Sequence, residues 1–300
     1  MTMHVERPSV TIPEELTRRA RLVATGADEW RIPPAADAAT VILLREQGSR
    51  LEVFLQRRVG RMKFAPGMYV FPGGRVEESD VWIPWRGPVD EPFPIADGAG
   101  ITATYRALTA AGARETWEEA GTILASTGDA GREMPVRDRP DSADADFEEW
   151  LLANGYQVVG ETLPAWTHWI TPEVESRRFD TRFLVARLPD GQDAVDRGME
   201  SDHSSWFTPG EALDRMRSGV MPMLPPTSDA LAQLADFDTV ASVLAEAAQR
   251  RPRRGAQPRR RSSHRLGALR CCPRRPRRQS PAWRSWWQSS RWIPAPWHRP

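Results

Sequence analysis

The chain has 300 residues, 40% of them hydrophobic, and a formal net charge of +1 that hides a sharp division. Residues 251–300 carry 15 Arg, no Lys and no acid; taking these from the chain's 41 basic residues leaves 26 against 40 acids in the first 250, a net of −14. An acidic body argues against duplex nucleic acid as its main partner, because phosphate neutralisation needs a basic surface. The two cysteines, adjacent at Cys271 and Cys272, provide no disulfide framework or zinc spacing. No apolar run approaches the ~20 residues of a membrane-spanning helix. Met1–Val10 contains no apolar leader, so a cytoplasmic protein is expected.

In chain order, residues 1–35 read as a loose lead-in, with a short helix from about Pro13 and a break at Pro33-Pro34. Strands are expected at Ala38–Arg45 and Leu51–Arg57, joined as a hairpin through Gly48. Arg57, Arg58, Arg61 and Lys63, the chain's only lysine, then form a basic cluster. Each alone reads as a solvated loop residue; together they suit a phosphate or pyrophosphate, with Arg as the bidentate binder. The turn Phe71-Pro72-Gly73-Gly74 follows. Paired glycines suit a backbone that comes close to a metal or phosphate, or simply a tight turn. Val81–Gly100 is Pro-rich with Trp82 and Trp85, either part of a lid or a surface excursion pinned by its tryptophans.

A helix is expected from about Thr102 to Ala120, with Gly121 as its C-terminal cap. It carries Arg114-Glu115-Thr116-Trp117-Glu118-Glu119. Glu115, Glu118 and Glu119 fall at i, i+3 and i+4 on one face, and Arg114 stands four residues before Glu118. Tyr105, Thr109, Ala113, Thr116 and Ala120 lie away from the carboxylates and form a narrow face for close packing on a sheet. Such a carboxylate cluster suits Mg²⁺ or Mn²⁺ with substrate phosphates; a solvated acidic face is the plainer alternative.

Gly74, Asp80 and Arg114-Glu115-x-x-Glu118-Glu119-x-Gly121 together resemble the Nudix box of the Nudix hydrolases. The family's acid at position 80 is usually Glu, its residue at 116 is usually aliphatic, and its spacer is far shorter than residues 81–113 here. The interrupted box looks like that of the peroxisomal coenzyme A diphosphatase type and its bacterial relatives, as do Met62–Gly74 and Trp169–Phe183. The likeness covers roughly residues 36 to 248. It implies Glu118 and Glu119 as principal metal ligands, with Glu115 as a further ligand or proton acceptor. It also implies a carbonyl of Gly73 or Gly74 on the metal, and Arg114 orienting the carboxylates. Arg58 and Lys63 fall near the basic motif of the coenzyme A-hydrolysing enzymes, with Arg61 between them.

Beyond the box, residues 127–145 read as a loop and Asp146–Asn154 as an amphipathic helix ending at Gly155. Strands are expected at Trp166–Ile170 and Thr181–Leu188, with Asp180 and Arg182 as a structural ion pair. Many Nudix enzymes place another carboxylate on a later loop; Glu200 is the candidate here, with Asp202 as substitute. His203 reads as a plain surface or strand-end histidine. Helices are expected at Pro209–Arg217, Ser228–Ala235 and Thr239–Gln249. Residues 250–300 are an Arg/Pro/Trp-rich tail that cannot bury enough surface to order itself. The tail reads either as an anionic-surface or RNA-binding segment or, preferably, as a GC-rich gene translated in a shifted frame, which resequencing the 3′ end would test.

The expected architecture is α/β: a Nudix fold over residues 36–249 with a mixed β-sheet between helices, an insertion at 81–100 inside the box, and extra C-terminal helices. The resemblance implies metal-dependent hydrolysis of a nucleoside diphosphate derivative, with coenzyme A or an acyl derivative leading and ADP-ribose or another nucleotide sugar second. A Nudix module that binds nucleotide without turnover, and a nucleic-acid interaction through the tail alone, are the readings from other classes. A small nucleotide is the expected partner, and a homodimer is left open.

Overall fold

The computed structural model describes residues 14–26, 29–61, 65–87, 104–127, 146–197 and 201–250. Lys63, Glu200, the Pro-rich stretch 88–103 and the tail beyond 250 lie outside these residues.

The apolar run near residue 40 becomes β1 (Ala35–Gln47), the centre of the main sheet. β1 turns through Gly48, left-handed at φ 62°, into antiparallel β2 (Arg50–Arg58). On its other side β1 runs parallel to β9 (Arg178–Arg187), from the Ala35–Arg178 pair to the Leu44–Arg187 pair. β10 (Ser201–Phe207) and β8 (Ala165–Ile170) complete the order β10-β2-β1-β9-β8. The short β3 (Tyr69–Val70) pairs with β2, and β4 (Gly73–Arg75) with β1, giving a mixed seven-stranded sheet.

Both faces of β1 are covered, which is why it reads as a continuous apolar run and not an alternating one. On one face, Val41 and Leu43 pack with Phe54, Leu184 and the α2 (Tyr105–Ala120) side chains Ala110, Ala113 and Trp117. On the other, Ile42 and Leu44 pack with Val53 and Leu55 beneath α4 (Pro209–Arg217), α5 (Pro225–Leu234) and α6 (Val240–Gln249). The chain is therefore an α/β sandwich.

Helix α2 forms as expected. Thr104 caps its start by accepting from the Ala107 N–H, and Gly121 ends it in the left-handed conformation at φ 63°. Tyr105, Thr109, Ala113, Thr116 and Ala120 are all buried. The helix lies close to the sheet: a methyl at Gly112 would stand 3.0 Å from Val41 Cγ2 and 3.2 Å from Leu184 Cδ1.

A second, small sheet joins β5 (Trp85–Arg86), β7 (Tyr156–Val159) and β6 (Ser126–Thr127) in the order β5-β7-β6. The described start of the insertion is thus tied down, and Trp85 donates its indole N–H to Thr109 Oγ1 at 2.9 Å. Trp82 does not pin it, being 71% exposed. Helix α3 (Phe147–Asn154) adds Phe147 and Leu151 to the α2 side of the core. Helix α5 starts three residues before the expected Ser228, because Pro225 and Pro226 occupy its first turn, where a missing N–H costs nothing. At the N-terminal end, α1 (Glu14–Thr25) precedes Trp30, which donates to the Glu173 carbonyl at 2.9 Å.

Candidate active site

Arg114 links the two halves of the interrupted box. Its Nε donates to Asp80 Oδ1 at 2.7 Å, and Nη2 donates to Asp80 Oδ2 at 3.2 Å and to the Arg75 carbonyl at 3.1 Å. Nη1 donates to Glu115 Oε1 at 2.9 Å and to Glu118 Oε2 at 3.1 Å. Asp80 is fully buried in a single 3₁₀ turn, Glu78–Val81, and its Oδ2 also accepts the Glu77 N–H at 2.7 Å. That turn carries the shorter acid to the guanidinium, so Asp serves where the family usually has Glu. The other departure is also accommodated: Thr116 is buried and donates its hydroxyl back to the Gly112 carbonyl at 2.7 Å.

Glu119 points elsewhere. Its Oε2 accepts from the Gly73 N–H at 3.0 Å and from Gln56 Nε2 at 2.5 Å. The glycine pair is required by close approach. A Cβ on Gly73 would stand 2.5 Å from the Ala39 carbonyl oxygen, and one on Gly74 would stand 2.2 Å from Glu115 Oε1. Pairing of β4 with β1, Gly73 opposite Thr40 and Gly74 opposite Ala39, sets the turn against α2.

Strand alternation divides the basic cluster. Phe54, Gln56 and Arg58 share the α2 face of β2, and the charge of Arg58 acts on Glu119. Arg57 faces the other way and pairs with Asp202 Oδ1 at 2.6 Å, so the substitute for Glu200 is engaged on the opposite side. Arg61 lies in the exposed turn after β2. Gln56 belongs to no motif, and sequence reasoning misses it; its only signal there is its place between Phe54 and Arg58 in a period-two strand. The expected pair of Asp180 and Arg182 forms at 2.7 Å, joined by Asp37 and by a hydrogen bond between His168 and Asp180.

Burial pushes Glu115 up to about 7, with Arg114 opposing and Glu118 reinforcing the shift. Burial, then the charge of Glu115, pushes Glu119 up to about 8. Glu118 is raised as well, by burial first, against the pull of Arg114. Burial works against the Arg114 cation, but hydrogen bonding to Asp80 and the charge of Glu115 outweigh it and hold the guanidinium above its ordinary value.

Among the described residues, no three Asp, Glu, His or Cys side chains form a ready-made cation cage. Glu115 and Glu118 turn to Arg114, while Glu119 turns to Gly73 and Gln56. The donor set nevertheless fits a hard divalent cation. All the donors are oxygens, and four carboxylates (Asp80, Glu115, Glu118, Glu119) are set against two guanidinium groups (Arg114, Arg58). With all four ionised, a dication would balance that excess. Gly74, having no Cβ, lets the Glu115 carboxylate lie directly against the backbone of the turn.

A mixed sheet between helices, a Gly-Gly turn laid against a helix bearing Arg-Glu-x-x-Glu-Glu, and an upstream acid holding that Arg define a Nudix-type protein. No family model matches the chain. It is similar to an acyl-coenzyme A diphosphatase of Xenopus laevis, 27% identical over 231 residues, covering 63% of this chain and 61% of that protein. It is also similar to an acyl-coenzyme A diphosphatase of Gallus gallus, 28% identical over 265 residues, covering 73% and 68%. The matched stretch thus spans about two thirds or less of these relatives' lengths. Among solved structures, a NUDIX hydrolase from Alicyclobacillus acidocaldarius matches with a TM-score of 0.60 at 26% identity, over 72% of this chain and 97% of that one. These similarities support the Nudix hydrolase superfamily for this chain, with a likeness to the coenzyme A diphosphatase type.

Proposed function

We propose that the protein is a cytoplasmic pyrophosphohydrolase that cleaves coenzyme A or an acyl-coenzyme A to 3′,5′-ADP and a 4′-phosphopantetheine, with Mg²⁺ or Mn²⁺. One observation carries the reading: Arg114 gathers Asp80, Glu115 and Glu118 while Glu119 is fixed against the Gly73–Gly74 turn. The acyl-coenzyme A diphosphatase names of the Xenopus and Gallus relatives support the substrate class.

In this reading Glu118 and Glu119 hold the cation, with Glu115 and a carbonyl of Gly73 or Gly74 beside them. The cation, when bound, screens charge on the pyrophosphate oxygens and lowers the pKa of a water. Glu115, whose pKa burial raises to about 7, accepts in its ionised form the proton of the attacking water. Glu200 is the further candidate base. Arg114 touches no substrate; its ion pairs orient the carboxylates. Arg58, on the same face as Glu119, binds a substrate phosphate, with Arg61 and Lys63 following it along the chain.

The test is hydrolysis of coenzyme A, acetyl-coenzyme A, ADP-ribose, NADH and a diadenosine polyphosphate with each metal, products resolved by chromatography. Release of 3′,5′-ADP from coenzyme A or its acetyl derivative, well ahead of turnover of the others, is expected. Preferential cleavage of ADP-ribose would move the substrate assignment, and no turnover with either metal would overturn the enzyme.

A further inference from the structure

Gln56 is 1% exposed, on the α2 face of β2 between the buried Phe54 and Arg58. Its Nε2 donates to Glu119 Oε2, the same oxygen that accepts the Gly73 N–H. Two donors on one oxygen fix the carboxylate's rotation and leave its Oε1 for a cation. The opposite amide orientation would bring two oxygens together, so Glu119 also fixes the direction of the amide. The Gln56 Oε1 is then buried and accepts no hydrogen bond from any described residue. A buried amide oxygen normally has a partner, and this one lies on the amide that grips a carboxylate of the box.

We propose that Gln56 is a positioning residue for the divalent cation: Nε2 sets Glu119, and Oε1 accepts a hydrogen bond from a water in the cation's shell. The proposal rests on the metal-dependent reading above. Mg²⁺ and its close analogue Mn²⁺ keep several waters when bound by a few carboxylates, and those waters are strong donors that need acceptors. A strand in the sheet is a rigid place to hold such an acceptor, whereas the box carboxylates that would ligate the cation all come from one helix.

The experiment measures Mn²⁺ binding to the full-length chain by calorimetry and by the electron-spin signal of free Mn²⁺, without substrate. Wild type is compared with Gln56→Met, which keeps the bulk but neither polar group, and Gln56→Glu, which keeps an acceptor and loses the donor. Circular dichroism and metal-free melting check that each variant is folded. Gln56→Met is expected to bind Mn²⁺ about tenfold or more weakly, in the range lost when a ligand's supporting partner is removed. Gln56→Glu is expected to bind within about threefold of wild type, a smaller loss than in Gln56→Met, because it still offers an oxygen to the shell although the donor that sets Glu119 is gone. Wild-type affinity in folded Gln56→Met, or equal losses in both variants, would overturn the proposal while leaving the metal site standing. Should Gln56→Met not fold, Gln56→Glu decides: retained binding supports the role, and lost binding overturns it. Absence of Mn²⁺ binding by the wild type would overturn this proposal and the metal-dependent hydrolase together.

Discussion

Asp80 and Arg114 are 34 positions apart, both buried, and meet through two hydrogen bonds. A buried guanidinium that loses its carboxylate becomes an uncompensated charge, so the pair is sensitive to removal of either member. Asp80→Asn is expected to lower stability by about 3–5 kcal/mol, read as a lower urea midpoint. Asp80→Glu restores the family's usual residue but adds a methylene at a site with no exposure. It is expected to cost about 1–3 kcal/mol, and a stability equal to or above wild type would show that the 3₁₀ turn does not set the reach. Glu118 is the contrasting case. Its side chain is 47% exposed, and its contact is a helical i,i+4 pair to Arg114. Glu118→Gln should leave the melting temperature nearly unchanged and cut kcat by orders of magnitude, because a proposed metal ligand is removed at little structural cost. Unchanged turnover in that variant would remove Glu118 from the mechanism.

At the scale of elements, the site is a contact between α2 and the short strand β4, and small residues set its closeness. Gly74→Ala places a Cβ where the Glu115 carboxylate stands, 2.2 Å from Oε1. Displacing that group by about 1 Å is expected to cost about a hundredfold in kcat. Gly210→Ala, in α4 with nothing within 4 Å of the added methyl, is the control and should retain full activity. Rates that match for the two variants would show that the Glu115 position does not matter. Much of this contact is legible in the sequence. The i, i+3, i+4 carboxylates, the glycine pair, the Gly121 cap and the narrow packing face of α2 are local patterns with local causes. The register of β1 on β9, the meeting of Asp80 with Arg114 and the turning of Gln56 toward Glu119 depend on long-range pairing, which spacing along the chain does not encode. Gln56 is hidden for a second reason: a lone Gln in a strand looks like any polar residue until the helix opposite it is in place.

For the whole molecule, an acidic body that concentrates buried carboxylates at one helix end has a stability that depends on pH in a definite direction. Burial raises Glu115 to about 7 and Glu119 to about 8, from an ordinary glutamate value of 4.5. The metal-free fold therefore holds these protons more tightly than the unfolded chain does. That contribution is fully present below the unfolded carboxyl pKa and is lost as pH rises through the folded values. A tenfold gain in proton affinity is worth about 1.4 kcal/mol, so the contribution is on the order of a few kcal/mol. In EDTA the melting temperature should fall between pH 5 and pH 8, with most of the fall complete by the upper end. A divalent cation binds the ionised carboxylates, so its binding releases protons and its stabilisation grows as pH rises. The difference in melting temperature between saturating Mn²⁺ and EDTA should be small at pH 5 and widest at pH 8, and calorimetry at pH 7 in buffers of different ionisation enthalpy should show net proton release on binding. A difference that stays constant across this range, with no proton release, would place the cation away from Glu115 and Glu119, because only ligands that must first lose a proton couple the fold, the metal and pH in this way.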